Sequence, residues 1–168
     1  MKGTDTSNLF FQVDLLTGCN NLVSFSKSLH NNFKNTNFAP ASLIVVDIYQ
    51  LRDINQIQGF EYGDSILRWT GFAIKDITSS TVYRISGDNF VAMLIGDSHE
   101  VHETIARKLF DRFNSEAPQL NLAPPVARLA LIHFPAGVPL NPWVVWRNLN
   151  EKLEQTSIEQ PFQISHAD

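Results

Sequence analysis

Apolar positions along this chain change period several times, and each change marks an element. Within residues 20–33, Leu22, Phe25, Leu29 and Phe33 recur at three- and four-residue spacing, which predicts a helix capped by Asn20 or Asn21. Residues 41–46 are instead an unbroken apolar run rich in β-branched side chains. That is the pattern of a strand covered on both faces, and it leads into Asp47. Residues 50–58 read as a short helix ended by Gly59. Residues 64–77 read as a longer helix that turns Ile66, Leu67 and Phe72 inward, with Trp69 as a further candidate. Two strands, 81–85 and 90–95, flank the turn Ser86-Gly87-Asp88-Asn89, a hairpin. Residues 101–113 form an amphipathic helix with Ile105, Leu109 and Phe113 on one face; 118–125 are a loop, 126–134 a strand and 142–155 a helix. Residues 1–13 begin polar and then read Leu9-Phe10-Phe11-Gln12-Val13, a linker or the end of a connecting helix. The tail, 157–168, is polar and expected to fray from Thr156 onward. This succession predicts an α+β fold, a central mostly antiparallel sheet of about five strands flanked by helices.

Composition narrows the picture. A chain of 168 residues, 43% hydrophobic and 18% charged, has the make-up of a soluble domain with a real core. A net charge of -4 argues against a nucleic-acid partner, which needs a basic footprint. Cys19 stands alone, so an intrachain disulfide and a cysteine-based zinc site are excluded. No apolar run approaches the roughly 20 residues that span a bilayer, and the start lacks the features of a signal peptide. The expectation is a cytoplasmic protein without a transmembrane segment.

Taken singly, the polar residues at element ends allow bland readings. Asp47 could cap the next helix, Asp88 is a common turn residue, and Asn55 and Asp64 could be helix-boundary caps. Arg84 reads as a structural ion-pair partner. His99 and His102 read as a solvated helix start, and Trp69, Trp143 and Trp146 as packing or interface residues.

Together they carry a resemblance. Asp14-Leu15-Leu16-Thr17-Gly18-Cys19-Asn20-Asn21 resembles the opening signature Asp-x-Leu-Thr-Gly-Leu-x-Asn of the GGDEF family, the diguanylate cyclases. Asp47-Ile48-Tyr49 falls where that family has Asp-Ile-Asp. Asn55, Gly59 and Gly63-Asp64 match its Asn-(x3)-Gly-His-(x2)-Gly-Asp segment, and Arg84-Ile85-Ser86-Gly87-Asp88-Asn89-Phe90 its Arg-Tyr-Gly-Gly-Asp-Glu-Phe. The resemblance implies a GGDEF domain over 14–156 with a nucleotide-cyclase, palm-like fold. Two such domains, each carrying one GTP, meet face to face to make cyclic di-GMP. It implies a Mg²⁺ site from Asp47, the Ile48 carbonyl and Asp88, guanine read by Asn55 and Asp64, and phosphates approached by Leu51, Arg52, Ser86 and Gly87.

The departures from the family pattern are as informative. The catalytic Glu of the signature is Asn89, which neither accepts a proton near neutral pH nor brings charge to a metal. Ser86 replaces a Gly, Tyr49 an Asp and Phe60 a His; Arg128-Leu129-Ala130 stands for Ser-Ile-Gly, and Gln155-Thr156 for an Ala-Lys pair whose Lys contacts phosphate. Ile77-Thr78-Ser79-Ser80 replaces the inhibitory Arg-x-x-Asp, so no inhibitory product site is expected. The reading is a degenerate GGDEF domain in bacterial cyclic di-GMP signalling, a GTP-binding or regulatory module that has lost efficient turnover. Its partners would be GTP, other signalling domains in a longer chain, or a second GGDEF domain. The rival readings are an active diguanylate cyclase that tolerates Asn89 and a nucleotide-free protein-interaction domain.

Overall fold

Strand β2 (Ala41–Ile48) is buried along its whole length because both sheet faces are covered, as its unbroken apolar run requires. In the computed structural model, which describes residues 12–33, 40–136 and 142–167, β2 lies between β4 (Asn89–Ile95) and β5 (Ala127–Phe134), antiparallel to both. Strand β3 (Thr81–Arg84) forms the expected hairpin with β4. Two shorter strands run parallel to their neighbours: β1 (Asn20–Asn21) beside β3 and β6 (Phe162–His166) beside β5. The order is β1-β3-β4-β2-β5-β6. The stretch before Gln12 and the side chain of Phe33 lie outside the described residues.

Alternation along β2 divides the core. Ile44, Val46 and Ile48 pack against Ile66, Leu67 and Ile74 of α3 (Phe60–Thr78) and Leu109 and Phe113 of α4 (His99–Glu116). Leu43 and Val45 face the other way, onto Phe25 and Leu29 of α1 (Leu22–Phe33) and Val145 and Leu149 of α5 (Pro142–Glu154). Each such side chain contributes about 1.5–3 kcal/mol when fully buried. Asn21 caps α1, its side-chain oxygen accepting from the Ser24 N–H at 3.1 Å. Helix α2 (Leu51–Gln58) ends at Gly59, whose φ of 91° suits glycine.

Three expectations are corrected. Phe72 does not turn inward; it is 61% exposed, with the Arg112 guanidinium over its ring. It lies two residues from the buried Thr70 and Ile74, about 200° round the helix from each. Its neighbour Gly71 sits inside, and it is a glycine there because a Cβ would come within 2.7 Å of Cys19 Sγ.

Nor does the tail fray. Phe162 and Ile164, two residues apart on one face of β6, pack on the core, and the Phe162 ring stacks on Phe110 at 5.4 Å. Thr156 is buried and closes α5 by donating its hydroxyl to the Leu153 carbonyl at 2.6 Å.

The histidines at the start of α4 are not a solvated pair: His99 is half-buried and His102 buried. His102 is 1% exposed, with Nδ1 2.7 Å from Ser42 Oγ, and the same hydroxyl lies 2.8 Å from Nδ1 of the buried His133. His99 stacks on His133 with ring centres 4.1 Å apart, and His166 closes the group from β6. This cluster sits at the Ala41 end of the sheet, away from Asp47.

Candidate functional site

Strand register sets the site. Asp47 stands opposite Asn89 on β4 and opposite Arg128 on β5, so three polar side chains lie abreast on one face at the sheet's end. Arg128 donates to Asp47 Oδ1 twice, from Nε at 3.2 Å and from Nη2 at 3.0 Å. Burial pushes the Asp47 carboxyl above its usual range; the charge of Asp88 adds to that, while Arg128 and the Asn89 amide oppose it without cancelling it. Asn89 donates its amide to Asp88 Oδ1 at 2.8 Å. The Asp88 carbonyl accepts from the Ile48 N–H at 3.1 Å, which ties the signature turn to the end of β2.

The other side of the turn is held by Arg84, which serves as the ion-pair partner expected of it. Its Nε and Nη2 donate to the Gly87 carbonyl at 3.1 and 2.5 Å, and its Nη1 reaches Asp14 at 3.1 Å. Burial raises the Asp14 carboxyl, but the Thr17 hydroxyl and N–H and the Arg84 guanidinium outweigh it and hold the group below its usual range.

The turn divides two hollows. A cleft of ≈ 710 Å³ brings together Leu51, Arg52, Asn55, Asp64, Gly87 and Asp88. A smaller hollow of ≈ 280 Å³ under α5 takes Asp47, Ser86, Asn89 and Arg128. The expected nucleotide residues therefore share one cleft apart from Ser86, whereas Asp47 and Asp88 open on opposite sides of the turn. Ile48 is buried. Phe60, 78% exposed, sits at the rim of the cleft. The end of α5 brings no cation to the smaller hollow: Thr156 is turned to Leu153, and Glu154 is a lining residue. Arg128 was not among the candidate site residues. Its signal was the departure at Arg128-Leu129-Ala130, and only strand pairing shows that it meets Asp47.

The resemblance implies Mg²⁺, which GGDEF cyclases generally use. The donors here do not fit a resident divalent ion. Asp47 is engaged by a guanidinium, and Asn89 supplies an amide N–H where an acid would be needed. A divalent ion on Asp47 would also face Arg128 at a few ångströms, a repulsion of several kcal/mol at the effective dielectric of such sites.

Asn55 is fixed in the cleft by a glycine. Its Oδ1 is buried without a hydrogen-bond partner, and a Cβ on Gly63 would lie 1.8 Å from that oxygen. Gly63→Ala is therefore expected to evict the Asn55 side chain. Overpacking of this kind costs about 1–3 kcal/mol, readable as a lowered urea midpoint, while helix content is kept. An unchanged midpoint would show that α2 and α3 are looser here than the contact implies.

The sequence model of the family described as "Diguanylate cyclase, GGDEF domain" matches residues 11–123. Diguanylate cyclase DgcS of Shewanella oneidensis is 36% identical over 90 residues, 51% of this chain and 30% of that protein, so the chain spans under a third of this relative. Among solved structures, the coiled coil and GGDEF domain of DgcB from Caulobacter crescentus, in complex with c-di-GMP, superposes with a TM-score of 0.81 at 16% identity, covering 97% of this chain and 89% of that one. The S helix-GGDEF-EAL region of Vibrio cholerae LapD, also bound to c-di-GMP, gives 0.78 at 13% identity, covering 98% of this chain and 39% of that one. These structures share the fold; the match of the family model across more than half of the sequence shows that the chain belongs to the GGDEF domain family of cyclic di-GMP signalling.

Proposed function

We propose that this GGDEF domain binds guanine nucleotide without turning it over and works as a regulatory module in bacterial cyclic di-GMP signalling. The observation that carries the reading is the contrast across the signature turn. The cleft keeps Asn55 and Asp64 together, while the strand end beside it carries Asn89 and an Asp47 already paired with Arg128. Asp64 can accept from guanine N1–H and N2–H, and the Asn55 amide can meet the base's acceptors. Adenine has no N1–H and would leave the carboxylate without a partner.

A site built on such hydrogen bonds rejects analogues that lack them by large factors, so GTP is expected to bind at least about tenfold more tightly than ATP. Asp64→Ala is expected to abolish that preference. Calorimetric titration with each nucleotide, with and without Mg²⁺, followed by a product assay on the same sample, tests the whole reading. Equal affinity for GTP and ATP would remove the guanine site, and no binding of either would favour a nucleotide-free interaction domain. Among the described residues no helix is long and apolar enough to cross a membrane. A cytoplasmic domain that pairs with a second GGDEF domain, or with other signalling domains, goes with this proposal.

A further inference from the structure

Among the described residues lining the smaller hollow, Arg128 is the one cation. It is 29% exposed against 11% for Asp47, so it covers the acid and still faces the hollow. With Asp47 and Asp88 ionised, the three groups carry one net negative charge; without Arg128 they would carry two. The guanidinium also has a geometric hold that a point charge lacks, since a planar fork places two N–H groups on one carboxylate. A metal ion entering here would have to displace it, and would then leave a partly buried guanidinium beside a second cation. The far side of the hollow supplies no replacement, because its lining from α5 includes Glu154 and no Lys or Arg.

We infer that Arg128 is the built-in cation of this site: it holds Asp47 in place of a divalent metal and receives the phosphates of a guanine nucleotide, which is taken up without Mg²⁺. The nucleotide part rests on the function proposed above; the exclusion of metal does not. Arginine suits the task, since its charge persists at any working pH and its fork matches phosphate as well as carboxylate oxygens. The hollow and the guanine cleft lie on either side of Ser86-Gly87, so a nucleotide with its base at Asn55 and Asp64 would have to cross that turn to meet Arg128.

The experiment has two arms on the unmodified protein, Arg128→Ser and Arg128→Lys, each checked for folding by circular dichroism. In the first, GTP is titrated in EDTA and again in excess Mg²⁺. The unmodified protein is expected to bind equally well in both, within about twofold. Loss of a charge-assisted contact in Arg128→Ser should weaken binding in EDTA by about tenfold or more, and Mg²⁺ should restore part of it. Arg128→Lys keeps a charge without the fork and should fall between the two.

In the second arm Mn²⁺ is titrated without nucleotide and followed by electron paramagnetic resonance. The unmodified protein should show no site and Arg128→Ser one. Tightening of GTP binding tenfold by Mg²⁺ in the unmodified protein, or Mn²⁺ binding to it without nucleotide, would overturn the inference. If GTP binds under neither condition, the nucleotide reading falls by itself, and the Mn²⁺ arm still decides whether Arg128 holds Asp47 against a metal. Both decisive comparisons use the unmodified protein, so poor folding of a variant does not blunt them.

Discussion

Incubated with saturating GTP and Mg²⁺, the unmodified domain is expected to release no cyclic di-GMP above a protein-free control, read by mass spectrometry of the nucleotide fraction. A missing catalytic acid or base commonly costs 10²–10⁴-fold, about 3–5 kcal/mol of barrier. Here that loss is compounded. Asn89 uses its amide to donate to Asp88, and Asp47 is committed to Arg128. Asn89→Glu alone is expected to restore nothing measurable, because the new carboxylate joins a site where Arg128 still holds Asp47. Activity should first emerge when Asn89→Glu is combined with Arg128→Ser. Several turnovers per hour from the unmodified domain would promote the active-cyclase reading instead.

Stability is expected to fall steeply as the pH drops from 7.5 to 5.5. Burial, with the charge of His99 adding to it, holds both His102 and His133 below the usual histidine range of about 6.5. Asp97 opposes this at His102 and Glu103 at His133 without reversing it. For a base whose folded pKa is depressed, the unfolded chain takes the proton first. Stability is therefore complete above the unfolded pKa and drains away as the pH falls below it toward the folded value. Two such groups give a slope of up to about 2.7 kcal/mol per pH unit within that window. Asp47, whose folded pKa is raised, acts in the opposite sense over the acid range above 3.8; the lowered Asp14 loses its contribution only below that value. Urea midpoints at pH 7.5, 6.5 and 5.5 measure the slope. His102→Gln removes one titrating group, leaves an amide to meet Ser42, and should roughly halve it. A flat midpoint in the unmodified protein would mean that water reaches the cluster more freely than its burial implies.

What could be read beforehand followed from local pattern. Leu22, Phe25 and Leu29 place one helix, residues 41–46 the central strand, and Ser86–Asn89 the hairpin turn, because each signal is complete within a dozen residues. Phe72 misled because a large apolar residue in a helical window draws the apolar face toward itself. The inward side is instead the stripe of Ile66, Leu67, Thr70, Gly71 and Ile74, in which two of the buried positions are a threonine and a glycine that an apolar pattern does not count. Strand β6 was hidden by its polar neighbours: a short parallel edge strand gains its hydrogen bonds from β5, not from its own period. The histidine cluster draws on α4, β5 and β6, and no window along the chain holds more than two of its members. The same limit applied to the site. The motifs singled out Asp47, Asn55, Asp64 and Asp88 as candidates, but Arg128 meets Asp47 across 81 positions of sequence, and strand register alone brings them together.

The described sheet ends in short borders, two residues of β1 on one side and five of β6 on the other. Pro161, directly before β6, has no N–H to offer and spends its carbonyl on Leu129. A second chain arriving at the β1 border would find only two residues of ladder to extend, and such a truncated border is a recognised protection against runaway strand pairing. Along that border of the described sheet, copies of the chain can meet without zipping into a common sheet.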